Sequence, residues 1–382
     1  MPKKTPFLNR RRWLQRTTVL ASSAVTSAWA QPGKLAPLPR KVVIAQIVDF
    51  SQIQQDVSKD FLIGARAAWQ DINLRGGLRG KQVQHLTLET DGTSASLRAA
   101  LDAVDANPSC IAMSGTVGDQ AANAVVELAV QQGLNIAHVA PWLQNSSLAV
   151  NNATFPIFAG RQEQIQHALK TLSVMGMQEL GAVYGSARDH TAYHAEVERI
   201  AAGLKLKLQA FQVTGELRAL AQQLTPQTPA VLLFVGGTPE LAAFTQGLGR
   251  QPRQRYIIAL SDVNLQTMMQ MGSARHLPII ATQPVPLVTA SLPIVRSYRE
   301  ALAKLFDEPP TPLSLAGFIA ARYTYEVLSA VEGPLTRQNA LSAFQRRDGM
   351  DLGGFRISFN AQHRGSTYVT QSMMTQDGRL IG

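Results

Sequence analysis

Apolar and polar positions follow two different periods along this chain, and the stretch 64–91 contains both. It opens with apolar residues at spacings of three and four, which predicts a helix with one buried stripe. Consecutive glycines at 76 and 77 end this helix, because glycine adopts left-handed backbone angles without steric cost. Residues 83–89 then alternate as a strand does, and the strand leads into an acidic loop. The residues of the helical stripe are Ala65, Ala68, Trp69 and Ile72.

The same alternation of strand-like and helical patterns continues as far as residue 281. It predicts an α/β protein whose parallel sheets are covered by helices on both faces. The series restarts near residue 180, which indicates two similar lobes. Strands are predicted at 42–48, 83–88, 110–113, 136–139, 180–184, 208–213, 231–235, 257–260 and 279–281. Helices are predicted at 59–75, 94–106, 120–132, 163–175, 193–204, 217–224, 239–248 and 264–271.

The remainder of the chain does not repeat this pattern. A proline-rich crossing at 283–293 leads into two further helices, predicted at 294–306 and 315–330. A β-rich tail follows, with strands predicted at 354–359 and 367–374.

The N-terminus has the three parts of a secretory signal. Six basic residues and no acidic residue lie within 1–16, a mildly apolar run covers 17–28, and Ala28-Trp29-Ala30 is a small-x-small cleavage site. The apolar run is shorter than the roughly 20 residues of a membrane helix. We therefore expect 1–30 to be a cleaved signal peptide. The pair Arg11-Arg12 leaves both the general secretory and the twin-arginine export routes open.

Much of the basic excess belongs to this signal, because its six basic residues account for six of the ten net positive charges. The other Lys and Arg residues are dispersed, and no nucleic-acid partner is expected. The single cysteine, Cys110, is expected to be a small buried hydrophobe in an apolar strand. No cysteine directly follows the signal, so we expect export to the periplasm without a lipid anchor.

The sequence contains no motif typical of a catalytic, nucleotide-binding or metal-binding site. His190 and His194 have a spacing that two metal ligands use, but a third ligand is normally needed. The run from Asp189 to Thr191 looks more like a capped helix start. We therefore expect a binding protein and not an enzyme, with no metal and no cofactor.

Three segments carry a resemblance to a known family: the stretch 64–91, the GGTPE turn at 236–240 and the closing GGFRISFN and QDGR motifs. In these segments the chain resembles the periplasmic branched-chain amino-acid-binding proteins, the type I solute-binding proteins of ABC importers. The resemblance implies the type I periplasmic-binding-protein fold, with two Rossmann-like lobes, parallel central sheets and a three-segment hinge. By the resemblance, lobe one is 41–157 plus 286–352, and lobe two is 158–285 plus 353–382.

The resemblance also implies where lobe one holds a ligand carboxylate. In the loop after the third strand, Thr116, the amides near Gly118 and Gln120 are the expected contacts. Ala121 falls where the family often has a hydroxyl residue. Asp119 would place a negative charge near the carboxylate, and a helix N-cap is the more favoured interpretation of it.

The loop after the fourth strand departs from the family pattern. Pro141 and Trp142 are the expected ligand contacts, and Trp142 stands where the family usually has threonine. An indole offers one N–H donor and a large apolar face. The alternative for Trp142 is packing in the core. From this change we expect leucine, isoleucine and valine to bind poorly and a flat or aromatic ligand to bind better.

On lobe two, the resemblance implies that Tyr193, Thr238 and Asp262 contact the ligand. Asp262 matches the acidic residue that pairs with the ammonium group of an amino acid, and a helix cap is the alternative. Arg161 is the cation nearest to the hinge. It is predicted to be a solvated surface residue, with binding of an anionic ligand as the alternative.

The resulting prediction is a monomeric periplasmic receptor that delivers a small polar or aromatic ligand, an amino acid or a related compound, to an ABC permease in the inner membrane. The alternative function is that of a ligand sensor for a signalling or regulatory partner. A Rossmann-like enzyme is disfavoured, because the dinucleotide-binding glycines are missing.

Overall fold

Parallel strand pairing forms the centre of two separate sheets in the computed structural model of this chain. The structure describes residues 41–212, 215–249, 253–271, 277–374 and 380–381. The predicted signal peptide 1–30 and the QDGR motif at 376–379 lie outside these ranges. All described residues belong to one compact unit, Pro39–Gly382.

Strands and helices alternate from residue 41 to residue 283, as the sequence pattern predicts. The strands are β1 (Lys41–Asp49), β2 (Gln82–Thr90), β3 (Cys110–Ser114), β4 (Ala137–Val139), β5 (Thr154–Phe155), β6 (Glu179–Tyr184), β7 (Lys207–Phe211), β8 (Val231–Val235), β9 (Tyr256–Ala259), β10 (Ile279–Gln283), β11 (Met350–Asp351), β12 (Arg356–Ile357), β13 (Thr370–Met374) and β14 (Leu380–Ile381). The helices are α1 (Gln55–Leu74), α2 (Ser94–Asp105), α3 (Asp119–Gln131), α4 (Arg161–Val174), α5 (Ala187–Gly203), α6 (Leu217–Gln222), α7 (Thr238–Leu248), α8 (Leu265–Gln270), α9 (Pro293–Leu305), α10 (Pro312–Ser329) and α11 (Arg337–Gln345).

The first sheet has the strand order β2-β1-β3-β4-β5, and all of its pairs are parallel. The second sheet has the order β14-β13-β10-β9-β8-β6-β7. Its strands from β6 to β10 pair in parallel, whereas β13 and β14 add an antiparallel edge. In each sheet the carboxyl ends of the parallel strands lie on one side, which is where open α/β sheets bind ligands.

The chain passes between the two sheets three times, after β5, after β10 and after β12. We call the first sheet with its helices lobe one and the second sheet with its helices lobe two. Phe355 and Ile357 are buried in the core of lobe one. If each residue is assigned to the lobe in whose core it is buried, lobe one extends through Ile357. The chain was predicted to return to lobe two earlier, at residue 353. The predicted lobe boundaries otherwise stay predictions.

Helices α1 and α10 pack closely in lobe one, because each has a glycine facing the other helix's backbone. A Cβ atom at Gly64 would lie 1.7 Å from the carbonyl oxygen of Ser314. A Cβ atom at Gly317 would lie 1.9 Å from the carbonyl oxygen of Phe61. No side chain larger than hydrogen fits at either position in this arrangement.

The structure differs from the sequence prediction mainly in short elements and in element ends. The strands β5 and β11 and the helix α11 were not predicted, because two-residue strands and a nine-residue helix show too little periodicity. The predicted strand 354–359 is reduced to two residues.

Cys110 is fully buried, which confirms the prediction that it is a small buried hydrophobe. Among the described helices, none combines the length and apolarity needed to cross a bilayer.

Candidate functional site

A buried arginine joins the two lobes at the carboxyl ends of their strands. Arg161 is the first residue of α4, and its residue is only 8% exposed. Its Nη1 donates to Oδ2 of Asp119 in lobe one at 2.8 Å, and its Nε donates to Oδ2 of Asp262 in lobe two at 2.8 Å. Its guanidinium also contacts the hydroxyl of Tyr193 and lies 4.7 Å from the centre of that ring. We call these four residues the arginine bridge.

The position of Arg161 contradicts the prediction of a solvated surface residue. Helix α4 begins directly after the first crossing between the lobes, so its first side chain faces the cleft and not the solvent. The cap interpretations of the two acids are also wrong. The N-cap of α3 is Gly118 and not Asp119, and the N-cap of α8 is Asn264 and not Asp262.

Burial and opposite charge act against each other in the arginine bridge. Burial alone would lower the pKa of Arg161, but the carboxylates of Asp262 and Asp119 hold it well above its usual value. Burial raises the pKa of Asp262, and the charge of Arg161 opposes this rise. Burial also raises the pKa of Tyr193 to about 12, so its hydroxyl is protonated at neutral pH. The charges of the arginine bridge are therefore paired, and this pairing offsets the free-energy cost of removing them from water.

Asp119 also links the bridge to the loop after β4. Its Oδ1 accepts a hydrogen bond from the backbone N–H of Gln144 at 2.9 Å. The other carboxylate of the bridge is less well satisfied, because Oδ1 of Asp262 is buried without a hydrogen-bond partner among the described atoms.

Trp142 lies in the core of lobe one and also lines a cavity at the hinge. Its residue is 1% exposed, and its ring centre lies 5.7 Å from that of Phe61 and 5.4 Å from that of Phe158. Pro141, the residue before it, is also buried. The indole N–H has no acceptor among the described atoms. Trp142 is therefore packed in the core, as the alternative interpretation had it, and it also lines the cavity, while its contact with a ligand stays a prediction.

The hinge cavity has a volume of about 60 Å³ and lies between the lobes. Trp142 and Leu313 line it from lobe one, Ser261 and Thr282 from lobe two, and the second crossing runs along it at 284–289. Its wall is mostly apolar. Further apolar residues of that wall are Val263, Leu265, Ala281, Val285, Leu287 and Val288.

A network of buried amides and hydroxyls links the hinge cavity to the arginine bridge. The sequence did not reveal this network. Oε1 of Gln144 accepts from Nε2 of Gln164 at 2.7 Å and from the hydroxyl of Ser261 at 3.1 Å. Oε1 of Gln164 accepts from the hydroxyl of Thr282 at 3.0 Å. Nε2 of Gln144 is a buried donor without an acceptor among the described atoms. Sequence patterns cannot identify such a network, because its members come from four different segments.

The other residues predicted on lobe one face different surroundings. The hydroxyl of Thr116 is fully buried and lies 2.9 Å from Nε2 of His138. Burial lowers the pKa of His138 to about 3, so this imidazole is neutral. Gly118 has a φ of 99°, and a Cβ atom there would lie 2.5 Å from Cβ of Asp49. The side chain of Gln120 is exposed. Thr116, Gly118 and Gln120 therefore do not form one side-chain cluster with Asp262 in the described structure.

Thr238 takes part in a second contact between the lobes. Its hydroxyl donates to Oδ2 of Asp56 on α1 at 2.6 Å and accepts from the backbone N–H of Asn264 at 2.9 Å. Nδ2 of Asn264 donates to Oδ2 of Asp60, also on α1, at 3.0 Å. We call these hydrogen bonds the closure contacts. Burial raises the pKa of both Asp56 and Asp60.

We expect Thr238→Val to weaken the closed arrangement of the lobes by about 1–3 kcal/mol, because it leaves the buried carboxylate of Asp56 without its donor. Small-angle scattering should show a larger radius of gyration for this variant than for the parent. Thr191→Val is the matched control, since Thr191 is exposed and donates only within its own helix. Equal radii for Thr238→Val and the parent would contradict this expectation.

The same contacts predict a pH dependence of closure. When the lobes separate, Asp56 and Asp60 regain water and their ordinary pKa, so the closed form binds protons more tightly than the open form. Closure should therefore become more favourable as the pH falls from neutral toward about 4. Scattering across this range should show the Thr238→Val variant closing again at acid pH, and a more open particle at low pH would refute the assignment.

Residues 41–379 match the family model described as periplasmic binding protein. No curated protein sequence matches the chain significantly.

Several solved structures share the fold. An extracellular ligand-binding receptor from Verminephrobacter eiseniae superposes with a TM-score of 0.81 at 20% identity, covering 90% of this chain and 100% of that one. A branched-chain amino acid ABC transporter protein from Thermus thermophilus with bound valine gives 0.76 at 13% identity, covering 89% and 94%. A fatty acid ABC transporter substrate-binding protein from Thermomonospora curvata gives 0.76 at 14% identity, covering 88% and 89%. At these identities the likeness shows the type I periplasmic-binding-protein fold, which is common to proteins of different ligand classes.

Proposed function

Because this chain belongs to the periplasmic binding protein family, we propose that it is an exported receptor that holds a small ligand between its lobes and delivers it to an ABC importer. The observation that carries this proposal is the set of side-chain bonds between the lobes at the carboxyl ends of their strands. A receptor that closes on its ligand needs such contacts. The proposed partners are the ligand and an inner-membrane permease, and the proposed form is a monomer.

The proposed ligand surroundings combine the hinge cavity and the cleft. Trp142 supplies an apolar face and an N–H donor that has no acceptor among the residues the structure describes, which favours a small polar or aromatic compound. The residues proposed to contact or frame the ligand are Thr116, Gly118, Gln120, Pro141, Trp142, Tyr193, Thr238 and Asp262. The ligand leaves chemically unchanged in this proposal, because binding and release need no reacting side chain. The solved structures named above include amino acid and fatty acid transporter proteins, which supports transport but does not decide the ligand.

Periplasmic delivery depends on the N-terminal segment, which we propose to be cleaved after Ala30. Mass spectrometry of the periplasmic fraction should detect a chain beginning at Gln31. An intact Met1 terminus, or no protein in this fraction, would contradict export.

The receptor function is tested by a thermal-shift screen over amino acids, amides, aromatic acids and polyamines, followed by uptake measurements. A ligand that binds only the native state raises the free energy of unfolding by mass action, by about 2.7 kcal/mol at 100 times its Kd, and the melting temperature rises with it. Cells that lack the protein should lose uptake of the labelled ligand, and the recovered ligand should be unchanged. Binding with normal uptake would favour the sensor alternative, and conversion of the ligand would reveal an enzyme.

A further inference from the structure

The acid that would pair with the ammonium group of an amino acid is already paired within the protein. Oδ2 of Asp262 receives Nε of Arg161 at 2.8 Å, and the same guanidinium satisfies Asp119 on the opposite lobe at 2.8 Å. All three side chains are at most 10% exposed. A planar guanidinium between two carboxylates and over an aromatic ring has the surroundings of a bound cationic ligand.

We propose that the guanidinium of Arg161 is a built-in cation that occupies the place of a ligand's ammonium group, so that the receptor takes a compact, uncharged ligand with a carbonyl oxygen. This inference rests on the proposed function and names its ligand class. Arg161 is then the residue that excludes amino acids and amines from the cleft.

Competition with a tethered cation explains this exclusion. A group held by a short segment has an effective concentration of about millimolar or higher. The side chain of Arg161 is also held at both of its ends, by helix α4 and by two carboxylates. A free amine must displace it and leave a guanidinium without partners in a buried region, which is costly. An uncharged ligand meets no such competition.

The unsatisfied donors near the hinge cavity indicate that the ligand carries a hydrogen-bond acceptor. Trp142 lines the hinge cavity, and its buried N–H has no acceptor within the described part of the chain. Nε2 of Gln144 is a second buried donor that no described atom accepts from, in the network that includes the cavity residue Ser261. A carbonyl oxygen is the acceptor that an uncharged ligand carries, and it would satisfy a buried donor whose desolvation is otherwise uncompensated.

The size of the cavity limits the ligand further. At about 60 Å³, it has space for about four to six water molecules. Its wall is mostly apolar, so a small ring or short aliphatic amide matches it better than a long chain or a sugar.

The first test replaces the built-in cation with a free one. In Arg161→Ala, guanidinium chloride at low millimolar concentration should raise the melting temperature relative to sodium chloride of equal ionic strength, whereas the parent should show no rise. If the single variant does not fold, Arg161→Ala with Asp119→Asn keeps one carboxylate and should respond to methylammonium. Adding Asp262→Asn to that variant should abolish the response. No rescue by guanidinium or methylammonium in a folded variant would overturn the inference.

The second test compares three five-membered rings that differ in charge, which are the lactam pyrrolidinone, the cation pyrrolidinium and the amino acid proline. In the parent, pyrrolidinone should bind at least about tenfold more tightly than the other two. Trp142→Phe, which keeps an aromatic ring but loses the N–H, should weaken the binding of pyrrolidinone. Tyr256→Phe, at an exposed strand position, should leave this binding unchanged. Tighter binding of proline or pyrrolidinium by the parent, or no binding of pyrrolidinone, would overturn the ligand class.

These tests separate the inference from the receptor function. Rescue of Arg161→Ala by guanidinium requires only the arginine bridge and not an importer. Rescue together with normal uptake in cells lacking the protein would reject the receptor function and keep the built-in cation. Loss of uptake in cells lacking the protein, without rescue of Arg161→Ala by guanidinium, would keep the receptor function and reject the built-in cation.

Discussion

Replacing Gly317 by alanine should lower the free energy of unfolding by about 3 kcal/mol, at the upper end of the usual cost of overpacking. The added methyl group would lie 1.9 Å from the carbonyl oxygen of Phe61, so helices α1 and α10 would have to move apart. The obstacle is backbone, which cannot turn away as a flexible side chain can. Urea denaturation followed by circular dichroism measures the change.

Gly203→Ala is the matched control for this prediction. Gly203 is the last residue of α5, and apart from its own helix backbone and its chain neighbours no described atom lies within 4 Å of a Cβ atom built there. Alanine should be neutral or stabilising at this position, by up to about 1 kcal/mol, because it loses less backbone entropy on folding. Equal losses for the two variants would show that the close approach of α1 and α10 is not what makes Gly317 necessary.

Replacing Arg161 by methionine should lower the free energy of unfolding by about 3–5 kcal/mol at neutral pH, because the buried carboxylates of Asp119 and Asp262 lose their common partner. Methionine keeps most of the volume of the arginine side chain. The loss of stability therefore comes more from the missing charge than from altered packing. Arg199→Met is the control, since Arg199 is exposed and pairs only with Glu196 on the same helix. It should change the stability little.

The loss in Arg161→Met should depend on pH. Burial already raises the pKa of Asp262, and without Arg161 nothing opposes that rise. The native variant then binds a proton more tightly than its unfolded chain, whose carboxyls have their ordinary pKa of about 4. Its stability is therefore greatest at acid pH and falls as the pH rises toward neutral. A deficit relative to the parent that grows on acidification would contradict this assignment of charge.

The architecture of this protein could be predicted from its sequence in considerable detail. The pattern at 42–48 corresponds to β1 (Lys41–Asp49), and the helix predicted at 94–106 corresponds to α2 (Ser94–Asp105). The two-lobe α/β fold with parallel sheets was predicted as well. Such features follow from local periodicity, because a strand or helix buried on one or both faces must repeat its apolar positions at a period of two or 3.6.

The candidate site could be predicted only in part. The family resemblance predicts ligand contacts in the loops after the third and fourth strands, and at Tyr193 and Asp262 on lobe two. Tyr193 and Asp262 do lie together, but around Arg161, which was expected at the surface. Ligand contact by the predicted residues stays a prediction.

The sequence by itself determined the class of fold, the order of most elements and the family to which the chain belongs, since these depend on local patterns and on motifs. Only the tertiary structure decided which side chains meet. Asp119 lies 42 residues before Arg161 and Asp262 lies 101 residues after it. The glycine contacts between α1 and α10 likewise join segments far apart in the chain. Spacing along the chain carries no information about such partners, because the folding of the two lobes and not local periodicity sets the distances between them.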